Sequence, residues 1–208
     1  AVNLKTGILE PRTREMYITK DMVLDYDYVN KPYVDETKKL NEVFDKIFGF
    51  NEAKKESWLH WRGYCLTGSI REQKAMIKIG IIASNGKSTD SKCFNKCFNI
   101  YCDKVGNDAF NSGGAYNKCF SKFAGRPIRL FFLEEWGKDE LNTELIKATI
   151  ESETLTVKPL YQEEINMIIQ GKMEAQTNHH PNFGKDIDKG ILRRFGMEDY
   201  GSEFVDKE

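Results

Sequence analysis

The residues with the most specific chemistry are Gly86-Lys87-Ser88-Thr89, which follow an apolar, β-branched run and precede a helical pattern. At the start of a helix, backbone N–H groups cradle phosphates, the Lys87 ammonium reaches the β and γ oxygens, and the Ser88 hydroxyl binds Mg²⁺. This segment therefore predicts an ATP site with Mg²⁺ as cofactor. The predicted nucleotide-binding residues are Ser84, Asn85, Gly86, Lys87, Ser88 and Thr89.

The match to a phosphate loop has one departure. The usual pattern carries a first glycine about five residues before Gly86, and Ile81 stands there instead. The nearest glycine, Gly80, lies one position too early. A chance Gly-Lys-Ser in a surface turn is the alternative interpretation, but the strand before the motif and the helix after it favour phosphate binding.

Two adjacent carboxylates, Glu134 and Glu135, follow the apolar run 128–133, which is typical of a central strand buried on both faces. Phosphoryl transfer to water needs one acid near the metal and another that orients the attacking water. We assign Glu134 to Mg²⁺ and Glu135 to the water. The alternative is that two acids after a strand simply begin a solvated loop.

Further polar candidates lie towards the C-terminus. Asn178 ends a predicted strand, where its amide either contacts the γ-phosphate and attacking water or forms an Asx turn before Pro181. Arg193 and Arg194 place two guanidinium groups side by side, and either is a candidate to reach a neighbouring subunit's γ-phosphate; a surface basic pair is the alternative. The predicted catalytic residues are Lys87, Glu134, Glu135, Asn178, Arg193 and Arg194.

Hydrophobic spacing indicates the elements that position these residues. Two helices are predicted before residue 70, and strands then alternate with helices, with a hairpin over 154–169. This order predicts an α/β fold of the P-loop NTPase type, AAA+-like, with a largely parallel sheet flanked by helices and preceded by a small helical segment. The predicted domains are a linker or end of a preceding domain over 1–33, the helical segment over 34–70 and the ATPase core over 71–208.

The amino-acid composition limits the kinds of partner that the protein can bind. The charges of the 31 basic and 32 acidic side chains nearly cancel, so any contact with nucleic acid must come from a local basic patch. No apolar run approaches the length of a membrane span, and no secretory signal begins the chain, so we expect a soluble, intracellular protein without a membrane partner. Three of five cysteines (Cys93, Cys97, Cys102) fall on one predicted helix with no histidine near, which favours reduced thiols over zinc.

Taken together, the motifs resemble the superfamily 3 helicases, specifically the helicase part of poxvirus-type and giant-virus primase-helicases, which is also found in phage and plasmid primases. The resemblance extends from about residue 34 to the end of the chain. The segments that carry it are Trp61–Gly68 (WRGYCLTG), Asn85–Thr89 (NGKST), Gly125–Leu130 (GRPIRL), Lys158–Tyr161 (KPLY), Thr177–Pro181 (TNHHP) and Ile191–Arg194 (ILRR).

The resemblance implies a homo-hexamer that hydrolyses ATP at subunit interfaces and translocates on single-stranded or forked DNA. It implies that a hairpin grips the strand, with Lys158 and Tyr161 touching phosphate and base and Lys147 supporting them. It further implies a preceding primase domain, a longer C-terminal end, and action in the host cytoplasm or nucleus at sites of viral DNA replication.

Two departures keep another interpretation open. The acid-rich stretch 149–154 stands where the family has fewer acids, and its carboxylates repel phosphate. Together with Ile81, it favours the alternative of a nucleotide-binding, ring-forming, DNA-binding module with weak or no hydrolysis. A small-molecule kinase is a third alternative, disfavoured by the arginine pair and by Asn178.

Overall fold

A computed structural model describes residues 1–18, 20, 33–111, 115–185 and 187–205. Its centre is a five-stranded sheet in which every pairing is parallel, with a separate antiparallel hairpin formed by β4 and β5. The order across the main sheet is β2-β3-β6-β1-β7. The strands are β1 (Ala75–Ile79), β2 (Cys102–Lys104), β3 (Leu130–Leu133), β4 (Leu155–Val157), β5 (Ile165–Met167), β6 (Lys172–Thr177) and β7 (Phe195–Asp199).

Six α-helices accompany these strands in the described ranges, and three of them begin at a side-chain cap. Asn51, Asn142 and Asp188 each accept the backbone N–H three residues on, which satisfies one of the unpaired donors at a helix start. None of the described helices is long and apolar enough to cross a membrane. The helices are α1 (Val34–Ile47), α2 (Glu52–Leu66), α3 (Lys87–Phe98), α4 (Tyr116–Phe120), α5 (Thr143–Ile150) and α6 (Lys189–Arg194).

The predicted α/β architecture with a parallel sheet is confirmed, as is the predicted hairpin. Strand β3 is buried along its whole length. Phe131 and Leu133 pack into the main core on one face, while Leu130 and Phe132 pack under α2 on the other. The prediction of a central strand buried on both faces is therefore confirmed.

Three elements were not predicted: β2, α6 and β7. Strand β2 has only three residues, and edge strand β7 alternates poorly, so neither produces a clear period-two pattern. The prediction that Cys102 continues the helix of Cys93 and Cys97 was wrong: α3 ends at Phe98, and Cys102 opens β2. Cys93 and Cys97 are exposed, whereas Cys102 is buried.

The two N-terminal helices pack onto the sheet through aromatic side chains. Phe44 of α1 and Phe48 directly after it contact Trp58 of α2, and Phe48 also contacts Tyr200 directly after β7. Tyr200 is fully buried in this cluster. Because these aromatic rings pack against one another, α1 and α2 are part of the same packed body as the sheet.

Candidate nucleotide-binding site

The loop between β1 and α3 has the backbone shape of an anion cradle. Ser84 and Gly86 both have positive φ, 55° and 88°, and α3 begins directly after them. A Cβ on Gly86 would lie 2.6 Å from Cγ1 of Ile47, so both the backbone angle and the close approach of α1 require glycine here. Ile81, at the position of the missing first glycine, is exposed.

The Lys87 ammonium lies where β1 and β6 end. Its Nζ donates to the carbonyl oxygen of Gly80 at 2.7 Å, to that of Thr177 at 3.2 Å and to Oδ1 of Asn178 at 2.7 Å. Three oxygens thus satisfy all three donors of the ammonium. The side chain is buried, and burial lowers the pKa of Lys87. The structure therefore brings together Lys87, at the start of α3, and Asn178, directly after β6.

Asn85 shapes the interior of the loop. Its side chain is buried, its Nδ2 donates to the carbonyl oxygen of Ile82 at 2.6 Å, and its Oδ1 accepts the backbone N–H of Lys87 at 3.3 Å. Ser88 and Thr89 are exposed in the first turn of α3, which leaves their hydroxyls accessible. A hydroxyl and backbone donors at a helix start suit a phosphate with its metal.

The two acids after β3 lie at the same edge of the sheet but in different settings. Glu134 forms an ion pair with Lys104 at the end of β2, at 2.8 Å. It also borders a cavity of about 450 Å³ beside α3, together with Lys92 and Phe132. Glu135 is exposed and has a positive φ of 50°. Of the two, Glu135 is the more accessible carboxylate, whereas one oxygen of Glu134 is engaged by Lys104.

The arginine pair divides into a buried and an exposed member. Arg194 is buried and forms an ion pair with Glu151, and its Nη1 donates to the carbonyl oxygen of Gly190. Arg193 keeps a side chain that is 58% exposed. It donates to Oε1 of Gln73 at 3.1 Å. Arg193 also pairs with Glu151, at 3.7 Å, so both arginines contact the same carboxylate and Arg193 is the more exposed of the two.

The hairpin places Tyr161 at its tip, where the side chain is 97% exposed. Lys158, at the start of the same turn, is exposed as well. Lys147 is located elsewhere: it lies on α5 and forms ion pairs with Asp188 at 2.7 Å and Glu144 at 3.1 Å. Its predicted support of the hairpin residues therefore has no counterpart among these contacts.

A buried set of charges behind the loop was missed by the sequence reasoning. Lys78 of β1, Arg62 of α2, Asp90 of α3 and Glu174 of β6 form four ion pairs of 2.5–2.8 Å. We call these four residues the charge ring. The available signal was Lys78 inside the otherwise apolar run of β1, since charges are rarely buried unless paired.

The chain is similar to known proteins in fold rather than in sequence. No protein-family model matches the chain, and no characterised protein matches it in sequence. The apo A form of the NrS-1 C-terminal region aligns with 77% of this chain and 37% of its own, at 16% identity and a TM-score of 0.58. Another apo structure of that region gives 17% identity and the same TM-score. JCV helicase aligns with 71% of this chain and 41% of its own, at 9% identity and a TM-score of 0.49.

The fold is therefore shared with the NrS-1 C-terminal region, and the chain spans about two fifths or less of the length of these structures. In the main sheet, β6 separates the strand of the phosphate loop from the strand of the two acids. This α/β arrangement is that of a P-loop NTPase, as the sequence predicted.

Gly80 offers a test of the site. A Cβ there would lie 2.1 Å from Nδ2 of Asn85, 2.8 Å from Nζ of Lys87 and 3.0 Å from the carbonyl oxygen of Tyr200. Because the two closest atoms are side-chain ends of the loop, we expect Gly80→Ala to displace them, and the folded variant to bind a fluorescent ATP analogue at least about tenfold more weakly, or ~1.4 kcal/mol.

The matched control is Gly63→Ala, since a Cβ at Gly63 meets nothing within 4 Å. Equal affinities for the two folded variants would show that the loop does not bind the nucleotide.

Proposed function

We propose that this chain is the ATP-hydrolysing core of a DNA helicase of the superfamily 3 type, from a primase-helicase that replicates a viral or plasmid-type genome. In this proposal the protein works as a hexameric ring, hydrolyses Mg-ATP where subunits meet, and translocates on single-stranded or forked DNA. Its place of action is the host cytoplasm or nucleus, at sites of viral DNA replication. The sequence resemblance supports the helicase subtype, and the P-loop fold supports the chemistry.

The observation that carries the proposal is the meeting of Lys87 and Asn178 at the tips of β1 and β6. An ammonium at the end of a phosphate loop binds the β and γ oxygens, and a neighbouring amide is placed to sense whether a γ-phosphate is present. A phosphate that binds Lys87 replaces Asn178 as its acceptor. ATP binding and hydrolysis thereby change the hydrogen bond of Asn178, directly after β6.

The other residues of the site have separate roles in this proposal. The Ser88 hydroxyl and the Glu134 carboxylate are hard oxygen donors of the kind that hold Mg²⁺. When bound there, Mg²⁺ would neutralise negative charge on the triphosphate. The Glu135 carboxylate orients the attacking water and accepts its proton, while backbone N–H groups of the loop hold the phosphates.

The first prediction concerns Lys87. We expect Lys87→Ala to keep the fold and to reduce ATP hydrolysis to below about one hundredth of the wild-type rate, because a preorganised cation is lost. Lys96→Ala is the matched control, since Lys96 is an exposed lysine of the same helix. The measurement is the rate of phosphate release from ATP in the presence of single-stranded DNA. Equal rates in wild type and Lys87→Ala would refute the proposed chemistry.

A second prediction tests the contact between subunits. If Arg193 completes a neighbour's site, Arg193→Ala and Lys87→Ala are each inactive alone, but a mixture of the two regains activity. In mixed rings, an intact phosphate loop on the Arg193→Ala subunit meets an intact Arg193 on the Lys87→Ala subunit. Steady-state phosphate release across mixing ratios measures this recovery. If the mixed variants assemble but phosphate release stays absent at every mixing ratio, Arg193 acts within its own subunit.

The hairpin provides a third prediction. Tyr161 is almost fully exposed and suited to stack on a base, a contact of about 1–3 kcal/mol per base. We expect Tyr161→Ala to weaken binding of a fluorescent single-stranded oligonucleotide by that amount and to leave ATP affinity unchanged. Tyr17→Ala is the control, because Tyr17 is 87% exposed and lies far away in sequence. Loss of the same size in both variants would argue against a specific role for the hairpin.

A nucleotide-binding ring with weak or no hydrolysis is the second candidate. It is favoured by the ion pair between Glu134 and Lys104, which occupies the acid assigned to the metal. It predicts nucleotide-dependent oligomers and DNA binding with negligible phosphate release. Turnover measured with Mg-ATP and single-stranded DNA separates it from the helicase.

A further inference from the structure

The charge ring lies directly behind the phosphate site and has no part in the chemistry proposed above. Each of its cations reaches both of its carboxylates. Arg62 contacts Asp90 and Glu174 at 2.8 Å each, and Lys78 contacts them at 2.5 and 2.6 Å. All four side chains are at most 7% exposed, so the ring is a closed, neutral set inside the protein.

Each member of the ring on the ATPase core is next to a group of the phosphate site. Lys78 lies on β1, two residues before Gly80, and Asp90 lies in the first turn of α3, three residues after Lys87. Glu174 lies on β6, which ends just before Asn178. The ring therefore joins the three elements whose ends meet at the Lys87 ammonium.

Arg62 differs from the other members because α2 supplies it from the helical segment. Its planar fork reaches α3 with Nη2 and β6 with Nη1, so one rigid group spans the two elements. The guanidinium also lies 4.6 Å from the ring centroid of Phe94 on α3. A lysine at this position has the charge but not the fork.

Other donors hold the two carboxylates from further sides. The Tyr200 hydroxyl donates to Asp90 at 2.7 Å, and Nε1 of Trp61 donates to Glu174 at 3.0 Å. Ser91 donates to Glu174 at 3.0 Å. Lys78 and these donors hold the two carboxylates in place, and the planar Arg62 fork adds a rigid link between Asp90 on α3 and Glu174 on β6.

We propose that Arg62 is a positioning residue of the ATP site: its fork holds the first turn of α3 against β6 so that Lys87 and Asn178 meet at the γ-phosphate. The inference rests on the proposed ATPase function and extends it to the helical segment. Displacement of reacting groups by about 1 Å costs on the order of a hundredfold in rate, so a small shift of α3 along β6 suffices for a large loss of activity.

The test compares Arg62→Lys with wild type and with Arg71→Met, an exposed arginine just after α2. For folded Arg62→Lys we expect kcat to fall at least about tenfold while KM changes less than about threefold, because the γ-phosphate geometry is disturbed more than overall binding. Hydrogen exchange without nucleotide should become faster in residues 84–91 and 174–178 than in α5. Wild-type kcat and unchanged exchange in folded Arg62→Lys would overturn the proposal.

A charge-balanced variant separates positioning from charge compensation. Arg62→Met combined with Asp90→Asn removes one cation and one anion and leaves Lys78 paired with Glu174. We expect this double variant to fold and still to show low kcat. Wild-type kcat in the folded double variant, or failure of both variants to fold, overturns the positioning role.

The proposed ATPase and the positioning role fail in distinguishable ways. If wild-type protein binds no fluorescent ATP analogue, the proposed function is wrong. Exchange rates in residues 84–91 and 174–178 then still decide whether Arg62 holds α3 against β6.

Discussion

The structure depends on the need to neutralise charge inside the protein behind the phosphate loop. Burial by itself raises the pKa of Asp90 and Glu174, but Lys78 and Arg62 outweigh it and hold both pKa values below their ordinary range. Carboxylates with lowered pKa values contribute stability that is present at neutral pH and is lost as the pH falls through those values. Because a buried charge without its partner costs several kcal/mol, all four elements of the ring must assemble together.

This requirement makes the N-terminal helices part of the same packed body as the sheet rather than an appendage. Arg62 enters the ring from α2, Ile47 of α1 lies against Gly86 of the phosphate loop, and Tyr200 joins the aromatic cluster to Asp90. Movement of the helical segment therefore changes the surroundings of the loop directly. In a ring ATPase, such contacts would link the nucleotide state to neighbouring parts of the chain.

The acidic stretch 149–154, which departs from the helicase pattern that the sequence resembles, has a structural role in this fold. Glu151 pairs with Arg194, so one of its added carboxylates is neutralised within the subunit and one of the two candidate arginines is held there. Arg193 is left exposed beside it. Arg193 and Arg194 are thus adjacent at the end of one short helix, but one side chain is exposed and the other is buried.

Local pattern was sufficient for the α/β fold, the parallel sheet, the strand–loop–helix order around Gly86 and the strand that ends just before Asn178, because each depends on periodicity or on a motif contiguous in the chain. The sequence alone could not show the charge ring, because its members come from four elements separated along the chain and meet only after the sheet has formed. For the same reason, only the tertiary structure decided that Lys87 meets Asn178, that Glu134 pairs with Lys104, and that Arg194 is buried while Arg193 is not. Burial and pairing are properties of position in space, and a linear pattern does not encode them.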